Sequence, residues 1–189
     1  MSISSSMRKR FATSTSVERG ATIAPITLSE RSSMGLALIR IFLGYLWFQQ
    51  LFWKLPPDFA GLHKYVVREG QYTILPGYSF IIQNAFLPNF TILGAGVWTL
   101  ELVISLSLLF GIFTRFGAIL SVLQAVQLYI GIAYSPGEWY WTYGMLVMLG
   151  LVMIAVPAGR RFGFDQWLAP LLQSRASRSR IARWLSWLV

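Results

Sequence analysis

The sequence predicts an all-α integral membrane protein. The expected architecture is a four-helix transmembrane bundle, with short interfacial helices in its first outer loop and an amphipathic C-terminal helix. Three observations predict it. Of the 189 residues, 55% are hydrophobic and the mean hydropathy is +0.56, more apolar than a soluble domain of this length. Four runs approach the roughly 20 apolar residues that a span requires: 34–53, 91–113, 116–134 and 140–156, the last being short. Positive charge also alternates with these runs. Of the 16 Lys and Arg, only Lys54, Lys64 and Arg68 fall between the first and second spans, and the rest fall on the other side. The positive-inside rule then places both termini in the cytoplasm. Because the net charge of +9 follows the spans so closely, it argues for membrane orientation and against a nucleic-acid site.

Residues 1–33 read as a flexible basic cytoplasmic tail, rich in Ser and Thr with Arg8, Lys9 and Arg10. No apolar segment follows those charges, so the tail lacks the pattern of a cleavable signal peptide. Ile23, Ile26 and Leu28 pattern too weakly to predict a helix there. Residues 34–168 form the four-span membrane domain.

The loop after the first span covers about 54–89. In it, Asp58 is a candidate N-cap for a helix carrying Phe59, Leu62 and Val66, with Gly70 as its end. A second apolar piece, 78–86, lies between Pro76 and Pro88. Both pieces suit the outer interface, and a loop this long is more often functional than a plain connector. Thr114 and Arg115 make a tight turn between the second and third spans, and 135–139 makes a polar turn before the fourth. In the C-terminal segment, 169–189, Ile181, Trp184, Leu185 and Leu188 share one helical face away from Arg180 and Arg183. That pattern fits a helix lying on anionic lipid, or one that binds a partner.

Polar residues inside the spans are the candidate site. Glu101 lies mid-span, where an acid costs roughly 2.5–3.5 kcal/mol on insertion scales and therefore faces protein or water. One face of the first span carries Arg40, Gly44, Trp47, Leu51 and Lys54. The matching face of the second carries Gly94, Trp98, Glu101, Ser105 and Leu108, and the third offers Gly117, Ser121, Gln124, Gln127 and Gly131. At about 1.5 Å of rise per residue, Glu101 lies roughly 18 Å from the inner end of its helix, with Gln127 at its level and Arg40 roughly 9 Å nearer the cytoplasm. Three roles are open to Glu101. It can be half of a structural ion pair with Arg40, a protonatable group beside a small redox or transported molecule, or part of a proton or ion path. Trp47 and Trp98 can wall an apolar pocket for a quinone ring or simply pack the core.

Some chemistry is excluded. The chain has no Cys and one His, His63, so it cannot build a thiolate-ligated iron–sulfur cluster or, from a single copy, a bis-histidine haem. No metal-ligand cluster, phosphate loop or dinucleotide fingerprint is present, and His63 reads as a surface residue.

Arg40, Gly44 and Lys54, then Glu101 followed by LLFGIFTR at 108–115, SPGEWYWTYGMLVM at 135–148 and GRRFGFDQWL at 159–168, together carry a resemblance. The chain resembles the DoxX-like superfamily of small four-helix membrane proteins, and within it the DoxD branch, the small membrane subunits of thiosulfate:quinone oxidoreductase. The resemblance implies a multi-pass protein of a prokaryotic plasma membrane that passes electrons from a reduced sulfur compound to quinone, with a partner membrane subunit. On this reading Glu101 and Arg40 are the catalytic candidates, with Arg40 tuning the acid. Trp47, Trp98 and Gln127 border the quinone, while Lys54 and Arg68 at the outer mouth attract an anionic substrate. The alternative is a non-catalytic subunit that scaffolds a larger membrane complex. A transporter has little support, because no broken half-helices are visible.

Overall fold

A computed structural model describes residues 29–176 and 179–189. Among them the regular structure is helical: α1 (Glu30–Gln50), α2 (Ala60–Tyr72), α3 (Pro76–Ile81), α4 (Phe90–Phe110), α5 (Thr114–Ile132), α6 (Tyr140–Ala155), α7 (Asp165–Ala176) and α8 (Arg180–Leu188). Most of the expected N-terminal tail, with Ile23, Ile26 and Leu28, lies outside the described residues.

α1 starts inside the expected tail, at Glu30. The Ser29 hydroxyl accepts the Ser32 N–H at 3.2 Å, and Glu30 places an acid in the first turn, where the helix dipole favours it. Three helical stretches are long and apolar enough to cross a membrane: Glu30–Lys54, Pro76–Phe110 and Thr114–Ile132. α6 is apolar but shorter, at 16 residues.

The second stretch corrects the sequence reading of the first loop. The piece at 78–86 is helical, formed by α3 and the segment after it, and it joins the next span without a loop. From α3 the chain continues through a π-helical segment (Ile82–Phe86) and a 3-10 turn (Leu87–Asn89) into α4, so Pro76–Phe110 is one unbroken helical stretch of 35 residues, bent enough for Tyr78 to line the same small cavity as Glu101. Pro88 lacks the N–H that regular α geometry would use, and the local change of helix type accommodates it. α2 also outruns its expected end at Gly70 and stops at Tyr72. Asp58 does act at its start, with Oδ1 accepting the Ala60 N–H at 3.3 Å. The turn between α4 and α5 is Gly111–Phe113, earlier than expected. Gly111, at φ 64°, caps α4 in the left-handed region that favours glycine.

α1 packs along α4, α4 along α5 and α5 along α6, while α1 meets α6 at only a few positions. Leu43 and Trp47 of α1, Ile104 and Leu108 of α4, Ala118 and Ala125 of α5, and Met153 of α6 share one core. Small residues permit this closeness. A Cβ on Gly44 would lie 2.6 Å from the backbone nitrogen of Leu109, so the backbones of α1 and α4 meet there. Large side chains such as Leu38, Phe42, Ile92, Leu123 and Met148 point outward, as on a lipid-facing surface.

α2 covers one end of these helices. Its Leu62 and Val66 bury against Ile82, Phe90 and Trp98, and Arg68 bonds to Ser135 at 2.6 Å and to the Pro136 carbonyl at 2.8 Å. α7 and α8 lie at the other end. α7 runs straight through the boundary expected at 168/169. α8 contacts α5 and α7 and buries Ala182 and Leu188, while Ile181, Trp184 and Trp187 stay exposed.

Candidate functional site

The site begins with the helix register. Gly44 lies against Leu108 and Leu109, Arg40 against Gly111, and the Trp98 indole N–H points to the Leu51 carbonyl at 3.4 Å. This antiparallel alignment puts Glu101 opposite the end of α1. Arg40 is then about 16 Å of helix away, too far for the ion pair considered from sequence. The pair forms with Lys54 instead. After Gln50 the chain tightens into a 3-10 turn, Phe52–Lys54, which turns the Lys54 side chain inward. Its ammonium donates to both carboxylate oxygens of Glu101, with the Oε2 contact at 2.6 Å. Lys54 is 3% exposed and Glu101 0%. Lys54 is therefore buried within the bundle and not displayed at the mouth as a substrate attractor.

Arg40 belongs to a separate cluster at the α7 end. It is fully buried and donates through Nη2 to the Phe162 carbonyl at 2.8 Å. The nearby Asp165 carboxylate acts on it electrostatically. Asp165 in turn accepts the Phe113 and Thr114 N–H groups at 2.8 and 2.9 Å, supplying from α7 the N-terminal cap that α5 lacks locally. Arg40 thus binds the 108–115 and 159–168 segments together, remote from Glu101.

Two cavities flank the Lys54–Glu101 pair. The larger, about 340 Å³, is bounded by Trp47, Trp53, Tyr65, Tyr143, Leu46 and Leu146 beside the pair itself. Its size is within the range of small-molecule pockets. Gln50, Trp53 and Thr142, all exposed, stand at its rim, between α1 and α6 where those helices barely touch. Trp47 donates its indole N–H to Ser121 Oγ at 2.8 Å, which fixes the ring that walls the cavity. Trp98, expected beside it, packs under α2 with Leu62 and Val66. Trp53, read from sequence only as an interface aromatic, takes its place on the wall.

A hydrogen-bonded chain edges the same cavity. The Tyr65 and Tyr143 hydroxyls are 2.6 Å apart, and Tyr143 donates to Glu138 Oε2 at 2.7 Å. Arg68 lies 3.6 Å from Glu138, so this partly exposed arginine is held by the chain's own groups. Burial pushes the Tyr65 phenol up to about 12, which keeps it a protonated donor. His63 packs edge-on against Phe90, away from both cavities.

The smaller cavity, about 120 Å³, lies on the other side of the pair and is shared by α2, α3, α4 and α5. Gln127 lines it, as does Glu69, a buried carboxylate that the sequence reading overlooked. Gln127 Nε2 donates to Glu69 Oε2 at 2.8 Å, and the Tyr78 hydroxyl donates to the same oxygen at 3.0 Å. A signal existed: Glu69 is three residues after Val66 and seven after Leu62, hence on the buried face of α2.

A DoxX family model matches residues 35–133, more than half of the chain. The chain belongs to the DoxX family. A search of curated proteins and one of solved structures found no match. The DoxX segment runs from α1 to the end of α5, so it contains Lys54, Glu69, Glu101 and Gln127. α6, which closes the larger cavity with Tyr143, follows it.

Proposed function

We propose that this DoxX protein is the membrane subunit of a quinone-linked oxidoreductase of the thiosulfate:quinone type, the DoxD branch of its family. The observation that supports this reading is the Lys54–Glu101 pair, buried and bordering a cavity of about 340 Å³ walled by Trp47, Trp53, Tyr65 and Tyr143. Aromatic walls suit the flat face of a quinone ring. The Lys54 ammonium brings a polar hydrogen to the cavity for a quinone oxygen, and the Tyr65 and Tyr143 hydroxyls edge the same cavity. The gap between α1 and α6 suits an isoprenoid tail that continues into lipid.

Reduction of quinone to quinol takes two electrons and two protons. In this reading a reduced sulfur anion supplies the electrons, through a partner subunit or by direct contact with the quinone. Glu101, loaded with a proton from solvent before each transfer, delivers the two protons in turn, and Lys54 stabilises the carboxylate left after each. Arg68 and Lys64 lie at the same end as the rim. We place the protein in a prokaryotic plasma membrane as a four-span bundle, with α6 as the fourth span and both termini cytoplasmic, as the charge distribution favours.

The test is thiosulfate-dependent quinone reduction by the protein in lipid nanodiscs, alone and with any co-purifying subunit. Glu101→Gln is expected to lower turnover about 100-fold, the usual scale of losing a positioned proton donor, while quinone still binds. Normal turnover in that variant would remove Glu101 from the chemistry. Failure of the wild-type protein to bind quinone, together with recovery only inside a larger assembly, would favour the scaffold role.

A further inference from the structure

Glu69 is a carboxylate with an unusual setting. It is 4% exposed, and among the described residues no cation lies within ion-pairing distance of it. Both of its hydrogen bonds, from Tyr78 and Gln127, land on Oε2. α5 makes room for it with a glycine: a Cβ on Gly131 would lie 3.0 Å from Oε2 and 3.1 Å from the carboxyl carbon. Across the 120 Å³ cavity it faces Glu101 and Lys54. That volume holds several waters, and its lining is polar enough to retain them.

Charge balance decides what such an arrangement can do. The ionisable groups around Glu69 are Tyr78 from α3, Lys54 from the turn after α1, Glu101 from α4 and Tyr65 from its own helix. Two carboxylates therefore share one ammonium. With both ionised, a net negative charge would remain buried, which a poorly polarisable interior strongly disfavours. One proton removes it. While Glu101 is paired with Lys54, that proton belongs on Glu69.

We propose that Glu69 is a proton-loading site for the Lys54–Glu101 pair, so that a single proton is held by either carboxyl and passes between them across the smaller cavity. In the resting arrangement Glu69 is the neutral acid and Glu101 the carboxylate. When a proton acceptor binds beside Glu101, the proton of Glu69 moves through cavity water to Glu101, which passes it to the acceptor and returns to the carboxylate paired with Lys54. Glu69 is left as the anion facing Lys54 and is then reprotonated from bulk solvent. No electron moves in this step. Burial, the largest influence, pushes the Glu69 carboxyl up to about 7, so both of its states are accessible near neutrality. The handover to quinone rests on the function proposed above, but the shared proton does not.

The experiment is an infrared pH titration of the full chain in nanodiscs, without quinone or sulfur donor, following the C=O stretch of protonated carboxyl groups. A band titrating near pH 7 is expected in the wild type and absent in Glu69→Gln. In Glu101→Gln the band should persist but titrate at a lower pH than in the wild type, because Lys54, now without its partner, favours the Glu69 anion. A band unaltered by Glu69→Gln would overturn the assignment, and an unmoved midpoint in Glu101→Gln would overturn the sharing. Gln127→Leu, which removes a hydrogen bond to the anion, should raise the midpoint and provides a second reading if Glu69→Gln does not fold. A midpoint in Gln127→Leu that stays put or falls would likewise count against Glu69. If the titration behaves as stated but the protein never reduces quinone, the redox function fails and the shared proton stands. If quinone is reduced but the band does not follow Glu69, the reverse holds.

Discussion

Lys54 shows how much one side chain can change the meaning of another. As a residue after the first span, it looks like a charge at a membrane surface. Turned inward by a short 3-10 turn, it becomes the counter-charge of Glu101. A buried ion pair of this kind adds little stability in total, yet breaking it from one side is costly. Lys54→Met alone should therefore destabilise the protein by about 3–5 kcal/mol, by leaving Glu101 unpaired. Adding Glu101→Leu should recover most of the loss. Thermal unfolding in one detergent for the wild type, both single variants and the double variant checks this, and additive losses would show that the two side chains do not depend on each other. Activity should be lost in all three variants, which separates the stability of the pair from its chemistry.

At the scale of elements, the α4–α5 turn depends on α7. Phe113 sits at φ 49° and offers no capping side chain, so α5 would begin with unsatisfied N–H groups. Asp165 accepts two of them, and the same carboxylate faces buried Arg40. Asp165→Ala removes the cap and leaves Arg40 without its counter-charge. It should cost about 3 kcal/mol and expose the 111–114 turn to faster amide hydrogen exchange. Asp165→Asn, which keeps one acceptor, should lie between the two. Equal exchange at that turn in the wild type and in Asp165→Ala would show that α5 finds its cap elsewhere. Glu101 and its cavities lie far from this cluster, so under the proposed function quinone binding by Asp165→Asn should match the wild type.

For the whole molecule, the decisive question is whether α6 crosses the membrane. Its 16 residues give about 24 Å of helix, a little less than a typical hydrocarbon core, so composition and length alone leave it short. Its packing along α5 and its share of the common core make it a full member of the bundle. The chain has no Cys, so single cysteines report without interference. Lys64→Cys should react with an impermeant maleimide added to intact cells, and Ser174→Cys should react only after permeabilisation. Labelling of both from the same side would mean that α6 does not cross.

Much of this was legible in the sequence because apolar helices in a membrane leave few options for a polar face. The stripe Arg40, Gly44, Trp47, Leu51 and Lys54 is buried throughout, as is most of the α4 stripe through Glu101 and the α5 stripe through Gln124. The helical period is enough to assign such faces. What the period cannot supply is the offset of one helix along another, since a shift of a few residues exchanges every partner while leaving each face intact. The close approach of Gly44 to Leu109 sets that offset, gives Glu101 to Lys54 and sends Arg40 to Asp165. The fold of the first loop was decided in the same way. Glu69 could be assigned to the buried face of α2 from its spacing alone, but α2 had to dock on α5 before that carboxylate met Gln127, Tyr78 and the cavity it shares with Glu101. Composition and periodicity determined the membrane helices and their inward faces, because both are local properties of the chain. Only the packed structure decided which charges meet, because that depends on contacts between residues distant in sequence.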